Sequence, residues 1–200
     1  PSRGLGDVYK RQLVPERCTE KVNVFHVNIQ NYESHTRLYG MLAMPKAKGR
    51  YPAVLKLPGA GIRSYAGDVE HAANGWIVFE IGIHGIPVNM SGPVYTNLYM
   101  GALKGYHTFN LDNRDKYYYK RVYLGCVRAI DFIYSLPQFD GSNLITFGSS
   151  QGGGLSIVTA GLDSRVKGLV AFYPALCDMV GYIHNLSLIH ISEPTRRTPI

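Results

Sequence analysis

Cysteine is scarce in this chain. Cys18, Cys126 and Cys177 are three in 200 residues, widely spaced and odd in number, so they make neither a disulfide framework nor a zinc spacing. Long apolar runs are missing too. No stretch of eighteen or more uncharged apolar residues occurs, which excludes a helical membrane span, and no charged-then-apolar leader opens the chain. There is no block of five or more like charges either, so the formal charge of +7 is spread out and gives nucleic acid no obvious patch to grip. No His, Asp and Glu set has metal-ligand spacing, and neither a metal nor a cofactor is expected. What remains is an ordinary globular composition, 46% hydrophobic and 18% charged, enough for one domain with a sizeable core.

Both ends look foreign to that domain. Residues 1–12 and 186–200 resemble translated sequencing-adapter read-through, and such segments are left out of fold reasoning. Setting them aside removes two net positive charges at the front and one at the back, leaving +4 for residues 13–185. On this reading both natural termini are missing. The compartment stays open between cytoplasmic, periplasmic and secreted, because a leader could have been lost.

Lys21 to Gln30 alternates, with Val22, Val24, His26 and Asn28 on one side and Asn23, Phe25, Val27 and Ile29 on the other; Thr36 to Met44 continues after a polar turn. An antiparallel hairpin is expected there. Tyr51–Leu57 reads as a strand ended by Pro58-Gly-Ala-Gly61, Asp68 to Asn74 as a helix, and Gly75 to Ile83 as a strand buried on both faces. Residues 84–116 show little periodicity and read as a functional or mobile insertion. Tyr117 to Leu136 places Val122, Cys126, Ala129, Ile130 and Ile133 at helical spacing, with Cys126 as a small buried hydrophobe. Asn143–Phe147 and Val166–Phe172 are two further strands. Strands alternating with helices after an opening hairpin predict a mostly parallel α/β sheet with helices on both faces and its ligand at the carboxyl ends of the strands.

Between the strand at 143–147 and the helix that follows it stands Gly148-Ser-Ser-Gln-Gly152. A G-x-S-x-G arrangement between strand and helix is a nucleophile elbow, with Ser150 in the middle position and Gly148 and Gly152 flanking it. Ser149 lies one residue too early and is expected to pack or hydrogen-bond beneath the turn. An acyl-transfer serine also needs N–H donors for the oxyanion. The backbone of Gln151 is one candidate; Ala60, with Gly61 next, is the other, on the loop ending the 51–57 strand. The acid and the base are harder to find. Asp163 reads as a cap or turn residue, and Asp178 and His184 are too close together to return an imidazole over the elbow. His190 and Glu193 fall in the adapter-like end. Among the upstream histidines, His84 fits a loop-stabilising role, His26 and His35 fall in the hairpin region, and His71 in the first helix. The acid and base are therefore expected beyond residue 185.

Gly148-Ser-Ser-Gln-Gly-Gly153 resembles the elbow of the acetyl xylan esterase and cephalosporin C deacetylase family of α/β-hydrolases, and the similarity extends through Tyr51–Gly61, Gly75–Gly85 and Asp163–Lys167, roughly Val22 to Tyr182. The resemblance implies a C-terminally truncated α/β-hydrolase fold and a serine esterase. It would remove acetyl groups from short xylo-oligosaccharides or similar small acetylated compounds through an acetyl-serine intermediate. It maps Ser150 to the nucleophile and Gln151 to one oxyanion donor, and the second donor position, often Tyr in the family, to Ala60. It also implies that the acid and base fall beyond residue 185, so that this piece alone is inactive, and that the whole protein forms a ring-shaped hexamer. Where many members carry Arg-Gly-Gln, this chain has His84-Gly-Ile86. Another hydrolase on the same fold, of peptidase or dienelactone hydrolase type, and a non-catalytic fragment are the alternatives.

Overall fold

The computed structural model describes residues 9–32 and 35–177. Strands β2 (Val22–Gln30) and β3 (Arg37–Pro45) form the expected hairpin, in register from Val22 opposite Pro45 to Gln30 opposite Arg37. Strand β1 (Tyr9–Leu13) adds to the outer edge of β2, antiparallel, so residues 9–12 of the stretch set aside from the fold are part of the sheet. Past the hairpin the direction of pairing changes. Strand β4 (Tyr51–Leu57) lies parallel between β5 (Ile77–Gly82) and β6 (Phe139–Ser149), and β7 (Gly168–Phe172) runs parallel to β6. The order is β1-β2-β3-β5-β4-β6-β7, a mixed sheet whose parallel part, β5-β4-β6-β7, carries the elbow.

Alternation along the strands sorts side chains into two cores. Val22, Val24, Met41 and Ala43 face helix α1 (Val69–Ala73) through Ala72. That helix starts where the Asp68 carboxylate accepts from the His71 amide at 3.2 Å, satisfying one of the free N–H groups of a first turn. On the opposite face Val27, Ile29, Leu42, Leu55 and Phe79 pack against helix α3 (Tyr118–Tyr134). The buried α3 residues Tyr119, Val122, Cys126, Ala129, Ile130 and Ile133 lie three or four positions apart, save the adjacent pair Ala129 and Ile130, the spacing of one helical stripe. Helix α4 (Gln151–Leu162) lies beside α3 and adds Leu155 to this larger core. Helices thus cover both faces, while β7 at the edge leaves Val170 and Phe172 exposed. None of the described helices is long and apolar enough to cross a membrane.

Within the expected insertion, Gly92–Met100 forms a helix, α2. Only Tyr95 of its nine residues is buried, so it carries almost no apolar stripe for periodicity to reveal. Its start was marked by Ser91 at the N-cap and Pro93 in the first turn.

Candidate active site

Strand β6 hands over to α4 at a single residue. Ser150 has φ 55° and ψ −122°, a region that costs a non-glycine residue on the order of 1–3 kcal/mol. Backbone bonds hold it there: the Ser150 amide donates to the Phe172 carbonyl at 2.9 Å, and the Ser150 carbonyl accepts from the Ala175 amide at 2.9 Å. Two glycines let the turn close. A Cβ on Gly148 would overlap the Gly152 carbonyl group, and a Cβ on Gly152 would overlap the Leu57 carbonyl. The same crowding holds at Gly154, where a Cβ would strike the Ala175 carbonyl, a requirement the bare motif does not state. Ser150 is half-buried, and its hydroxyl makes no hydrogen bond among the described residues. Ser149 departs from expectation. Its side chain is exposed, because strand alternation turns it out of the core beside Phe172 on β7, and it makes no hydrogen bond among the described residues.

Facing the elbow is the loop Pro58–Gly61 at the end of β4. The Gln151 side chain joins the two, donating from Nε2 to the Pro58 carbonyl at 3.2 Å and to the Gly59 carbonyl at 3.4 Å. Its Oε1 accepts from the hydroxyls of Tyr106 and Tyr119, both at 2.7 Å. Both tyrosines are fully buried, and burial raises both phenol pKa values, so they act as neutral donors. Gly61 donates its amide to the Tyr106 hydroxyl at 3.3 Å, whereas the amides of Ala60 and Gln151 make no hydrogen bond among the described residues. Of the two candidates on this loop, Ala60 is thus the one whose amide is left unbonded among the described residues. Sequence reasoning missed the tyrosines. The signal for Tyr119 was the Tyr117-Tyr-Tyr119 run, since a buried phenol requires a partner; Tyr106 stands apart from that run, in the 84–116 segment.

None of the histidines whose bonding is described meets Ser150. His84 is buried between the Tyr118 hydroxyl and the Gly61 carbonyl, a loop-stabilising position, and burial pushes its pKa down to about 4. His26 stacks on Tyr39 in the hairpin, and His71 bonds Asp68 at 2.9 Å on α1. Asp163 closes α4 and is clamped by Arg165, whose bond holds the carboxyl below its ordinary pKa. Asp178, His184, His190 and Glu193 lie outside the described residues. Cys126 is a fully buried free thiol whose pKa burial pushes up to about 12, an inert core residue. Among the described residues no group of three or more His, Cys, Asp or Glu is placed to hold a metal ion.

The family model for Acetyl xylan esterase (AXE1) matches residues 10–188. The chain belongs to the acetyl xylan esterase family. It is 44% identical over 177 residues to the acetyl esterase Axe7A of Xylanibacter ruminicola, a match covering 86% of this chain and 40% of that protein. Among solved structures it resembles an acetyl xylan esterase from Paenibacillus sp. R4, with a TM-score of 0.71 at 27% identity, covering 94% of this chain and 63% of the other. Acetyl xylan esterase 1 from Thermoanaerobacterium sp. JW/SL YS485 shares the fold, with a TM-score of 0.70 at 19% identity over 94% and 62%. The fold is that of an α/β-hydrolase, and the chain spans less than two thirds of the length of each of these relatives.

Proposed function

We propose that the protein containing this chain is a serine esterase that removes acetyl groups from short xylo-oligosaccharides or similar small acetylated compounds. The observation that carries this reading is Ser150, strained at a strand-to-helix turn that faces the Pro58–Gly61 loop, with the Ala60 and Gln151 amides making no hydrogen bond among the described residues, in a chain of the acetyl xylan esterase family. In the proposed reaction the Ser150 hydroxyl oxygen adds to the acetyl carbonyl while its proton passes to a base. The carbonyl oxygen becomes an oxyanion held by the two amides. Collapse of this adduct breaks the ester bond, and the sugar alcohol leaves with the proton. Water then attacks the acetyl-serine, releasing acetate and restoring the hydroxyl. No acid or base is assigned within this chain: both are expected beyond residue 185 in the complete protein, so the 200-residue chain alone is expected to be inactive.

The test is acetate release from an acetylated xylo-oligosaccharide by the complete protein, with a peptide substrate in parallel. Deacetylation that Ser150→Ala abolishes supports the reading. Turnover of the peptide alone favours the peptidase alternative, and deacetylation surviving Ser150→Ala removes Ser150 from its role.

A further inference from the structure

The loop opposite Ser150 consists of consecutive peptide planes flanked by Gly59 and Gly61, and Gly61 has φ 110°, a conformation other residues rarely adopt. Such a segment has little stiffness of its own, yet an oxyanion donor works only if its N–H direction is fixed before the reaction. Each plane has an external anchor. Gln151 Nε2 bonds the Gly59 carbonyl, on the plane whose N–H belongs to Ala60. In the next plane the Gly61 amide is bonded to Tyr106 and the Ala60 carbonyl to Arg63. The third plane presents the Gly61 carbonyl to His84 Nε2 at 3.1 Å.

We propose that His84 is a positioning residue for this loop: as the Nε2–H tautomer, fixed by the Tyr118 hydroxyl, it anchors the Gly61 carbonyl and so helps set the direction of the Ala60 amide. The assignment rests on the esterase reading above. Its chemistry follows from donor and acceptor accounting. A carbonyl oxygen can only accept, so Nε2 carries the hydrogen; in a neutral imidazole Nδ1 then has only its lone pair. The Tyr118 hydroxyl, 2.6 Å from Nδ1, must therefore be the donor. Tyr118 is itself held, buried with the Arg121 guanidinium 4.3 Å from its ring centroid, and Arg121 also donates to the His84 carbonyl at 3.3 Å. The imidazole packs edge-on against Tyr106, ring centroids 4.7 Å apart, so the anchors of two adjacent planes brace each other. Burial, with the cationic Arg121 and Arg63 and His107 facing the ring, keeps the imidazole neutral. Removing the Tyr118 hydroxyl frees the ring to take the other tautomer, which would point a lone pair at the Gly61 carbonyl.

The test uses the complete protein, with steady-state deacetylation and melting temperature measured on each variant. His84→Leu should lower kcat about 10- to 100-fold with KM within about twofold, the pattern of an interaction realised in the transition state. His84→Gln, whose amide can still donate to the Gly61 carbonyl, should recover most of that loss. Tyr118→Phe, a smaller change should His84→Leu not fold, should lower kcat about 10-fold. Ring nitrogen shifts of His84 in the labelled protein should report the Nε2–H tautomer. The opposite tautomer, an unchanged kcat in His84→Leu or in Tyr118→Phe, or His84→Gln no better than His84→Leu would overturn the proposal. A wild-type protein without deacetylase activity would sink the esterase reading instead, and the tautomer measurement would still decide this one.

Discussion

Around Ser150, position is set by backbone meeting backbone: Gly148 against Gly152, Gly152 against Leu57, Gly154 against Ala175, with no room for a methyl group at any of the three. Across the site, the Pro58–Gly61 loop is placed by side chains. Gln151, Tyr106 and His84 reach it from α4, from the 84–116 segment and from the end of β5, and Tyr118 and Tyr119 at the start of α3 hold two of them. One half of the site is rigid because it is crowded. The other is rigid only while a buried hydrogen-bond network stays complete, and such networks are costly when broken.

The contrast can be broken at either end. The largest effect is expected on the crowded side. Gly152→Ala sets a methyl group against the Leu57 carbonyl, backbone that cannot swing aside, and should cost about 3 kcal/mol of stability in denaturant unfolding. A loss of a few tenths would show that the two backbones are not pressed together.

Acid should expose the polar side. His84 titrates near its ordinary 6.5 when unfolded and about 4 when folded, so between these values the unfolded chain binds the extra proton. Its contribution is therefore complete above about pH 6.5 and is lost as the pH falls towards 4, on the order of 3 kcal/mol in all. Comparing the stability of wild type and His84→Gln from pH 7 to pH 4 isolates it; parallel curves would contradict a buried neutral imidazole.

Gln151→Leu strips partners from two phenols and two carbonyls at once. We expect a loss of about 2 kcal/mol, with kcat falling about 10-fold while KM holds. A kcat within twofold of wild type would make the network structural only. The smallest effect belongs to Asp163→Ala. Because this carboxylate is engaged by Arg165, half-exposed and also bridged to Asp131, we expect about 1 kcal/mol of stability and an unchanged kcat. A collapse of kcat would instead place Asp163 in the catalytic machinery.

The same contrast explains what could be read from the sequence. Strand β4 ends where Pro58 ends it, and α3 follows its apolar spacing, because both are governed by neighbours along the chain. The elbow was legible for the same reason: its glycines, its serine and its flanking elements lie within about a dozen consecutive residues. Strand β6 begins four residues before the expected Asn143, at Phe139, since Asp140 and Gly141 look like a turn and do bend the chain within the strand. The polar network stayed hidden because its members are far apart: Gln151 bonds a carbonyl 93 positions away, and His84 bonds Tyr118 across 34. Local pattern carries no information about such pairs, beyond the demand that buried tyrosines find partners.

The central claim is that Ser150 takes up the acetyl group. Rapid quenching of the complete protein during turnover of an acetylated xylo-oligosaccharide, followed by peptide mapping, tests it directly. We predict one acetyl group on the peptide containing Ser150, absent from Ser150→Ala; an acetyl group on another residue, or undiminished turnover by Ser150→Ala, would contradict the account.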